Sequence, residues 1–562
     1  MSTKLSDRTV TAFFSVLVAL IASSGMISCT SSDTDFPAEE LLRKAKENGV
    51  AANQGFRRTH RYLTDWLDKT DARTGLIPRN LNDSRDIWNA PDAAADNYPF
   101  MVLTSFFTDR ERFEGRLLQM LRTERELTSR LGALPDTYSF SRSTFLEEEP
   151  DLDRIIFGAS EYVKDGLLPL TEWLGASPWS ERMIEIVDDI WKEAPVETPY
   201  GRIPSDSHEI NGEMLQVLSR VYWMTGDRKY LDWAIRLGDY YLLGDHHPTR
   251  DSDRLRLRDH GCEIVSGLTE LYATLHFADP DKKQTYRDPI YEMLERLLEV
   301  GRNEHGLFYN VINPQTGEII DDRPADTFGY TYNAFYTVYL IDSEERYRQA
   351  VVEALESLSD RYHNFSWEGG SADGDADAIE GALNLYNREP LSSAKEWIDR
   401  EIQFMWGKQD SSPRDPDGRW RNSGIIEGWH GDGNFARTTL YYCLWKTQGL
   451  YVRPWREDVV LGAATDLADR FIVVLSAGKD WAGKLFFDAP RHTHQMKLPI
   501  DWPRINQFPE WFTVQPNESY TVQHASGEKT DYSGKDLLEG LDLNLTSDHE
   551  VQLIVTVASA AP

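Results

Sequence analysis

Short polar junctions punctuate this chain at Thr108-Asp109-Arg110, Gly175-Ala176-Ser177, Gly226-Asp227-Arg228, Asp279-Pro280-Asp281, Asp342-Ser343-Glu344, Arg388-Glu389-Pro390 and Val452-Arg453-Pro454. They recur at intervals of roughly 45 to 65 residues, about one long helical hairpin each. Between them the apolar residues keep helical spacing, as in Ile210, Met214, Val217, Leu218, Val221 and Tyr222, or Ile264, Leu268, Leu271 and Leu275. Leu231 to Leu243 is apolar almost all round, as a helix packed on both sides must be. Six or seven such hairpins in succession close into a ring, with inner helices around a central cavity and outer helices covering them. An open solenoid of tetratricopeptide type needs a shorter and stricter period.

The sequence therefore predicts a mainly α fold, an (α/α)6-type toroid over residues 38–466. Beyond 466 the pattern shortens to Phe471-Ile472-Val473-Val474-Leu475, Leu485-Phe486-Phe487, Phe512-Thr513-Val514 and Val551-Gln552-Leu553-Ile554-Val555. Short β-rich runs between turn residues predict a small β-sandwich over 467–562, packed on the ring by default.

The N-terminus reads as an export signal. Lys4 and Arg8 precede an apolar run from Val10 to Ala22, too short for a comfortable membrane span, and Met26-Ile27-Ser28-Cys29 follows. This pattern is similar to a bacterial lipoprotein signal, with 1–28 removed, Cys29 acylated and 29–37 a tether. The expected location is the outer membrane, facing the periplasm or the cell surface, with the membrane as partner through the lipid. The remaining cysteines, Cys262 and Cys443, are expected to be free thiols, too few for a cysteine zinc site.

A formal charge of −32 excludes nucleic acid as a partner. The same field repels an anionic polysaccharide at long range unless the cleft is locally basic. No P-loop, dinucleotide fingerprint or Ser-His-Asp elbow is present, and no cofactor is implied.

In a ring of alternating hairpins the inner helices run parallel, so the loops entering them converge on one mouth. Six of those loops are rich in polar groups. The first holds Asp92 and Asp96, either of which can cap a helix near Pro99. The second holds His208, Glu209 and Glu213, with Asp206 and Glu209 at capping-box spacing. Arg258, Asp259 and His260 make the third, a potential proton-transfer unit or simply a helix start. In the fourth, Asp326 opens a helix presenting Tyr330 and Asn333. The fifth alternates Asp373, Asp375 and Asp377 before Glu380, like the start of a calcium loop whose required glycine and distal glutamate are missing. The sixth is Glu427-Gly428-Trp429-His430-Gly431-Asp432-Gly433-Asn434 with Arg437, where Trp429 offers a stacking face. No metal is assigned to any of them.

The Asp92-to-Phe100 segment, the Asp373-to-Leu385 segment and the Gly428-to-Asn434 run with Arg437 resemble the bacterial (α/α)-barrel glycoside hydrolases acting on uronic acids. That group includes β-glucuronidases and unsaturated glucuronyl hydrolases. The resemblance implies removal of terminal uronic acid residues from polysaccharide-derived oligosaccharides by a carboxylic acid and a second carboxylate. It does not place the catalytic pair residue by residue.

On that basis Asp259 and Asp326 are the principal carboxylates, with Glu209 and Glu380 in reserve. His208, His260 and His430 tune or bind, while Arg258 and Arg437 receive a sugar carboxylate. Asp92, Asp96, Tyr330, Trp429 and Asn434 complete the binding set. A polysaccharide lyase using Tyr330 and His260, or a glycan-capturing lipoprotein without activity, are the rival readings. An epimerase on the same ring fits poorly with export. A homo-oligomer stays open.

Overall fold

Four of the polar junctions are helix caps. Asp109, Ser177, Asp227 and Asp279 each accept a backbone N–H from the first turn of the helix they precede. This satisfies donors that a helix start leaves without partners. Just before Asp227, Gly226 adopts a left-handed φ of 73° and ends the preceding helix at little cost.

A computed structural model describes residues 39–411, 423–466, 471–547 and 549–558. The export signal, the tether and Cys29 lie outside the described residues, as do the side chains of Asp259 and His260. The architecture is a closed (α/α) toroid of helical hairpins with a C-terminal β-sandwich.

Its inner wall runs from Tyr98–Thr108 through Leu152–Glu161, continued by Tyr162–Leu167 and Leu168–Leu174. Then come His208–Thr225, Glu263–Ala278, Phe328–Asp342, Ala372–Tyr386 and Gly431–Thr447. Each element packs on the next and the last packs on the first, so the described residues close a ring at the upper end of six or seven hairpins. Gly431–Thr447 is buried at every position, which only an inner helix can be. Outer helices such as Pro178–Glu193 and Arg228–Leu242 bury one stripe alone.

Two inner helices approach unusually closely through Gly212 and Gly267. A Cβ at Gly212 would run into the backbone of Glu263 and Ile264, and one at Gly267 into the Gly212 carbonyl. Gly212→Ala is therefore expected to cost about 1–3 kcal/mol, seen as a lower midpoint in denaturant titration. An unchanged midpoint would mean that these helices are free to separate.

The β region begins earlier than the sequence predicts. The helix Gly431–Thr447 stops where Gln448 and Gly449 turn left-handed, at φ 55° and 83°. Strands Tyr451–Arg453 and Val459–Thr465 follow at once. The expected boundary at 466 thus falls after two strands, because Val459–Thr465 pairs with Phe471–Ala477 along its whole length. One sheet orders Val459–Thr465, Phe471–Ala477, Glu550–Val557, Ser519–His524 and Lys529–Ser533. The other orders Leu541–Leu545, Trp481–Phe486 and Tyr451–Arg453.

Between Trp481–Phe486 and Ser519–His524 the chain leaves the sandwich and enters the ring. Trp502 Nε1 donates to Glu270 at 3.2 Å and Asn384 Nδ2 donates to the Arg504 carbonyl at 2.9 Å. Arg504 pairs with Glu172 at 3.3 Å, and Phe508 packs against Tyr441 with ring centroids 4.1 Å apart. The residues around 501–508 therefore plug the ring from within. Of the predicted strand Phe512-Thr513-Val514 only an isolated bridge between Thr513 and Asp488 forms.

Candidate active site

A cavity of about 480 Å³ opens where the inner helices begin, within the roughly 300–1,000 Å³ typical of small-molecule sites. Helix starts carry partial positive charge, which favours carboxylates there. Asp92, Asp96, Tyr330, His430, Asn434 and Arg437 all line it, together with Asp373, Asp377, Glu161, Lys164, Asp165 and Glu263.

Asn89 caps a short π-helix, Ala90–Asn97, through its side chain, so neither Asp92 nor Asp96 is used as the cap. Asp92 Oδ1 accepts from Trp429 Nε1 at 3.0 Å and lies 3.1 Å from His430 Nδ1. Its Oδ2 accepts from Arg79 Nε at 2.8 Å and from Asn89 Nδ2. Burial works against its charge, but the bonds from His430 and Asn89 hold its carboxyl at about 2. With its lone pairs so occupied, Asp92 orients His430. Trp429 is not the open stacking face expected of it. The Arg79 guanidinium lies 5.5 Å over the ring and the His430 ring is 4.8 Å away.

Ser371 caps the helix Ala372–Tyr386, so the three alternating aspartates form helical turns rather than a calcium loop. Asp373 and Asp377 are four apart and share one face, which lines the cavity, while Asp375 turns away to pair with Lys408. Asp373 Oδ1 accepts from Asn434 Nδ2 at 2.5 Å and its Oδ2 lies 3.8 Å from His430 Nε2. Asp377 accepts from Tyr330 Oη at 3.0 Å and from Arg437 Nη2.

Burial, reinforced by the charge of Asp377, pushes the Asp373 carboxyl well above the usual carboxylate range; His430 opposes this, while Glu368 and Asp96 add to it. Burial also works against the charge of His430. Its hydrogen bond to Asp92 and the nearby Asp373 and Asp96 nevertheless hold the imidazolium up at about 10.

Deeper in, Lys164 Nζ pairs with Asp165 at 2.7 Å and with Glu263 at 2.5 Å. Burial raises Glu263 to about 7, although Lys164 opposes it. Arg154 pairs with Asp136 at 3.2 Å in the wall. Arg79, Arg154, Lys164, His430 and Arg437, the cations of the described lining, are thus all bound to carboxylates already.

Other expected site residues sit elsewhere. Asp326 is buried outside the lining, where its carboxylate accepts from the Thr327 N–H. Glu380 lies behind Tyr330, whose hydroxyl donates to it, and burial raises its carboxyl to about 7. Arg258 is spent on Glu368 at 2.8 Å, so it does not present a free guanidinium to a sugar carboxylate. His208 packs on Tyr241 with ring centroids 5.6 Å apart, beyond the lining. The helix it starts is preceded by Ser207 without a side-chain cap, so the capping box expected of Asp206 and Glu209 does not form.

Glu209 instead reaches the wall beside Glu161. Its carboxylate oxygen and those of Glu161 and Glu213 lie within 4.8 Å of one another. That spacing suits a cation, but the cluster alone gives no reason to assign one. Asp259 and His260 start the turn Asp259–Cys262, and Cys262 and Cys443 are buried and not joined in a disulfide.

Sequence reasoning missed Asp373 and Asp377 as a pair, and Lys164, Asp165, Glu263 and Asn506 altogether. Only the four-residue spacing of the aspartates offered a signal.

No protein-family model and no curated protein matches the chain. Among solved structures it is similar to an inactive variant of the GH76A α-1,6-mannanase of Salegentibacter sp. HEL1_6 in complex with α-1,6-mannotetrose, at 11% identity. That match covers 69% of this chain and 99% of the other, with a TM-score of 0.39. A family 76 glycoside hydrolase (mannosidase) from Bacteroides thetaiotaomicron VPI-5482 matches at 13% identity over 70% of this chain and 98% of its own, TM-score 0.38. The cellobiose 2-epimerase from Bacillus thermoamylovorans B4167 matches at 14% over 49% and 85%, TM-score 0.35.

Proposed function

We propose that the protein is a glycoside hydrolase that takes a glycan chain end into this cavity. The observation that carries the reading is the contrast between carboxyls around one imidazolium. Burial and the charge of Asp377 push the Asp373 carboxyl up, while the bonds from His430 and Asn89 hold that of Asp92 down. A carboxyl raised by burial in a cavity, beside one held low, marks a candidate general acid.

Asp373 gives its proton to the leaving glycosidic oxygen. Asp96 comes from the helix that carries Asp92 and lines the same cavity. It acts at the anomeric carbon, directly or by taking a proton from attacking water. Asp377, bonded to Arg437 and Tyr330, favours the protonated form of Asp373. These residues take over the roles expected of Asp259 and Asp326.

The uronic acid specificity implied by the family resemblance meets an obstacle. A sugar carboxylate taking Arg437 or Lys164 would have to displace an internal one and leave that group buried and unpaired, whereas Arg79 and Arg154 each give a carboxylate one nitrogen and keep further donors. A neutral glycan meets no such penalty. The lyase reading is weakened too, since the one Tyr330 hydroxyl proton lies between the Asp377 and Glu380 carboxylates and burial raises its hydroxyl well above its ordinary value.

The test is product analysis on reducing-end-labelled tetrasaccharides: α-1,6-mannotetraose, cellotetraose, and chains capped by saturated or 4,5-unsaturated uronides. Saturated sugars released from a neutral chain are expected. New ultraviolet absorbance in the products would make it a lyase, and binding without turnover a capture protein. Lipid anchoring through Cys29 belongs to the same proposal. Cys29→Ser is expected to release the protein from the membrane fraction.

A further inference from the structure

The tip of the plug reaches the cavity with one side chain, Asn506, which is 2% exposed and lies among the lining residues. Its backbone is left-handed at φ 57°, a region that asparagine tolerates better than most residues and that often marks functional positions. The segment is held there from several sides. Arg220 Nη1 donates to the Ile505 carbonyl at 3.4 Å, Asn384 holds the Arg504 carbonyl, and Trp502 holds Glu270.

The Asn506 amide is used in both directions. Nδ2 donates to Asp165, and Oδ1 accepts from Arg437 Nη1 at 3.0 Å. A primary amide has two N–H donors and two acceptor lone pairs. One of each therefore remains on a side chain that lines the cavity. A hydroxyl both donates and accepts and so satisfies the pair, whereas a carboxylate only accepts and would also face Asp165.

We propose that Asn506 is a specificity-determining residue, delivered by the C-terminal module, that binds a hydroxyl of the neutral sugar at the closed end of the cavity. The proposal rests on the hydrolase reading above. It makes the β-sandwich part of the site, because a loop rooted in its strands forms the floor. Arg437 joins the floor to the reacting groups, since one nitrogen is held by Asn506 and the other by Asp377.

Asn506→Gly keeps the left-handed backbone and removes only the amide. With the cleaved tetrasaccharide of the panel, KM is expected to rise about tenfold, the loss of one hydrogen bond to a neutral group. The turnover number is expected to stay within roughly threefold, because Asp377 and Tyr330 still hold Arg437. Asn506→Asp keeps the acceptor but loses the donor and adds a charge beside Asp165, so its KM is expected to rise at least as far. An unchanged KM with a lowered melting temperature would reduce Asn506 to a structural residue and overturn the proposal. An unchanged KM and melting temperature would overturn it equally. If the native protein neither cleaves nor binds any panel member, the hydrolase reading falls and this inference with it. If the native protein acts and Asn506→Gly acts identically, this inference alone falls.

Discussion

Asp373→Asn is expected to lower kcat by about 10²–10⁴-fold, the contribution of a positioned acid, while KM changes little. An amide has no acidic proton to hand to the leaving oxygen, yet it keeps the shape that accepts from Asn434. The pH profile makes the assignment specific. Activity requires Asp373 protonated, so its loss of a proton sets the alkaline limb of kcat/KM. The positive charge of His430 lowers the Asp373 pKa, whereas the negative charge of Asp377 raises it. In His430→Gln the residual activity should therefore persist to higher pH than in the native protein. In Asp377→Asn the limb should move to lower pH. Both variants will be slower, but opposite displacements need only relative rates across the profile. Limbs that move together, or stay fixed, would mean that another group supplies the proton.

The ring was legible because its signals are local. Asp109, Ser177, Asp227 and Asp279 advertise caps by residue type alone, and helical spacing of apolar residues does the rest. Convergence of the inner helix starts follows from alternation, and Asp92, Asp96, Tyr330, His430, Asn434 and Arg437 do meet in one cavity.

What stayed hidden depends on partners distant in sequence. Arg437 and Arg258 look free for a substrate until Asp377 and Glu368 are placed beside them. Asp326 reads as a helix opener, but its carboxylate accepts from the N–H of the next residue, Thr327, outside the cavity lining. Asp373 and Asp377 resembled a metal loop, because alternation is visible in a sequence and a shared helical face is inferred only once a helix is assumed. Asn506 gave no sign at all. It sits among Pro499, Pro503 and Pro509, in a stretch with neither helical nor strand period, and only the folded ring gives that stretch a place.

Arg220→Met is expected to cost about 3–5 kcal/mol of stability, the usual consequence of removing one partner from a buried ion pair. Arg220 is 1% exposed. Its Nε and Nη2 grip Glu270 at 3.0 and 2.6 Å, and its Nη1 reaches Glu172 at 3.2 Å. One guanidinium thus ties three inner helices together, and through the Ile505 carbonyl it also seats the plug. Methionine fills much of the volume but leaves Glu270 with the Trp502 indole alone, and Glu172 with Arg504 alone. The loss should therefore come mainly from stranded charge rather than from a cavity. Adding Glu270→Gln to Arg220→Met removes that charge, so the double variant should be more stable than the sum of the single effects. Denaturant midpoints of the full chain measure all three. A single-variant loss below about 1 kcal/mol, or strict additivity in the double variant, would show that the network does not hold the plug. The floor of the cavity would then need another support, because Asn506 keeps its position only while residues 501–508 stay seated against Arg220, Asn384 and Glu172.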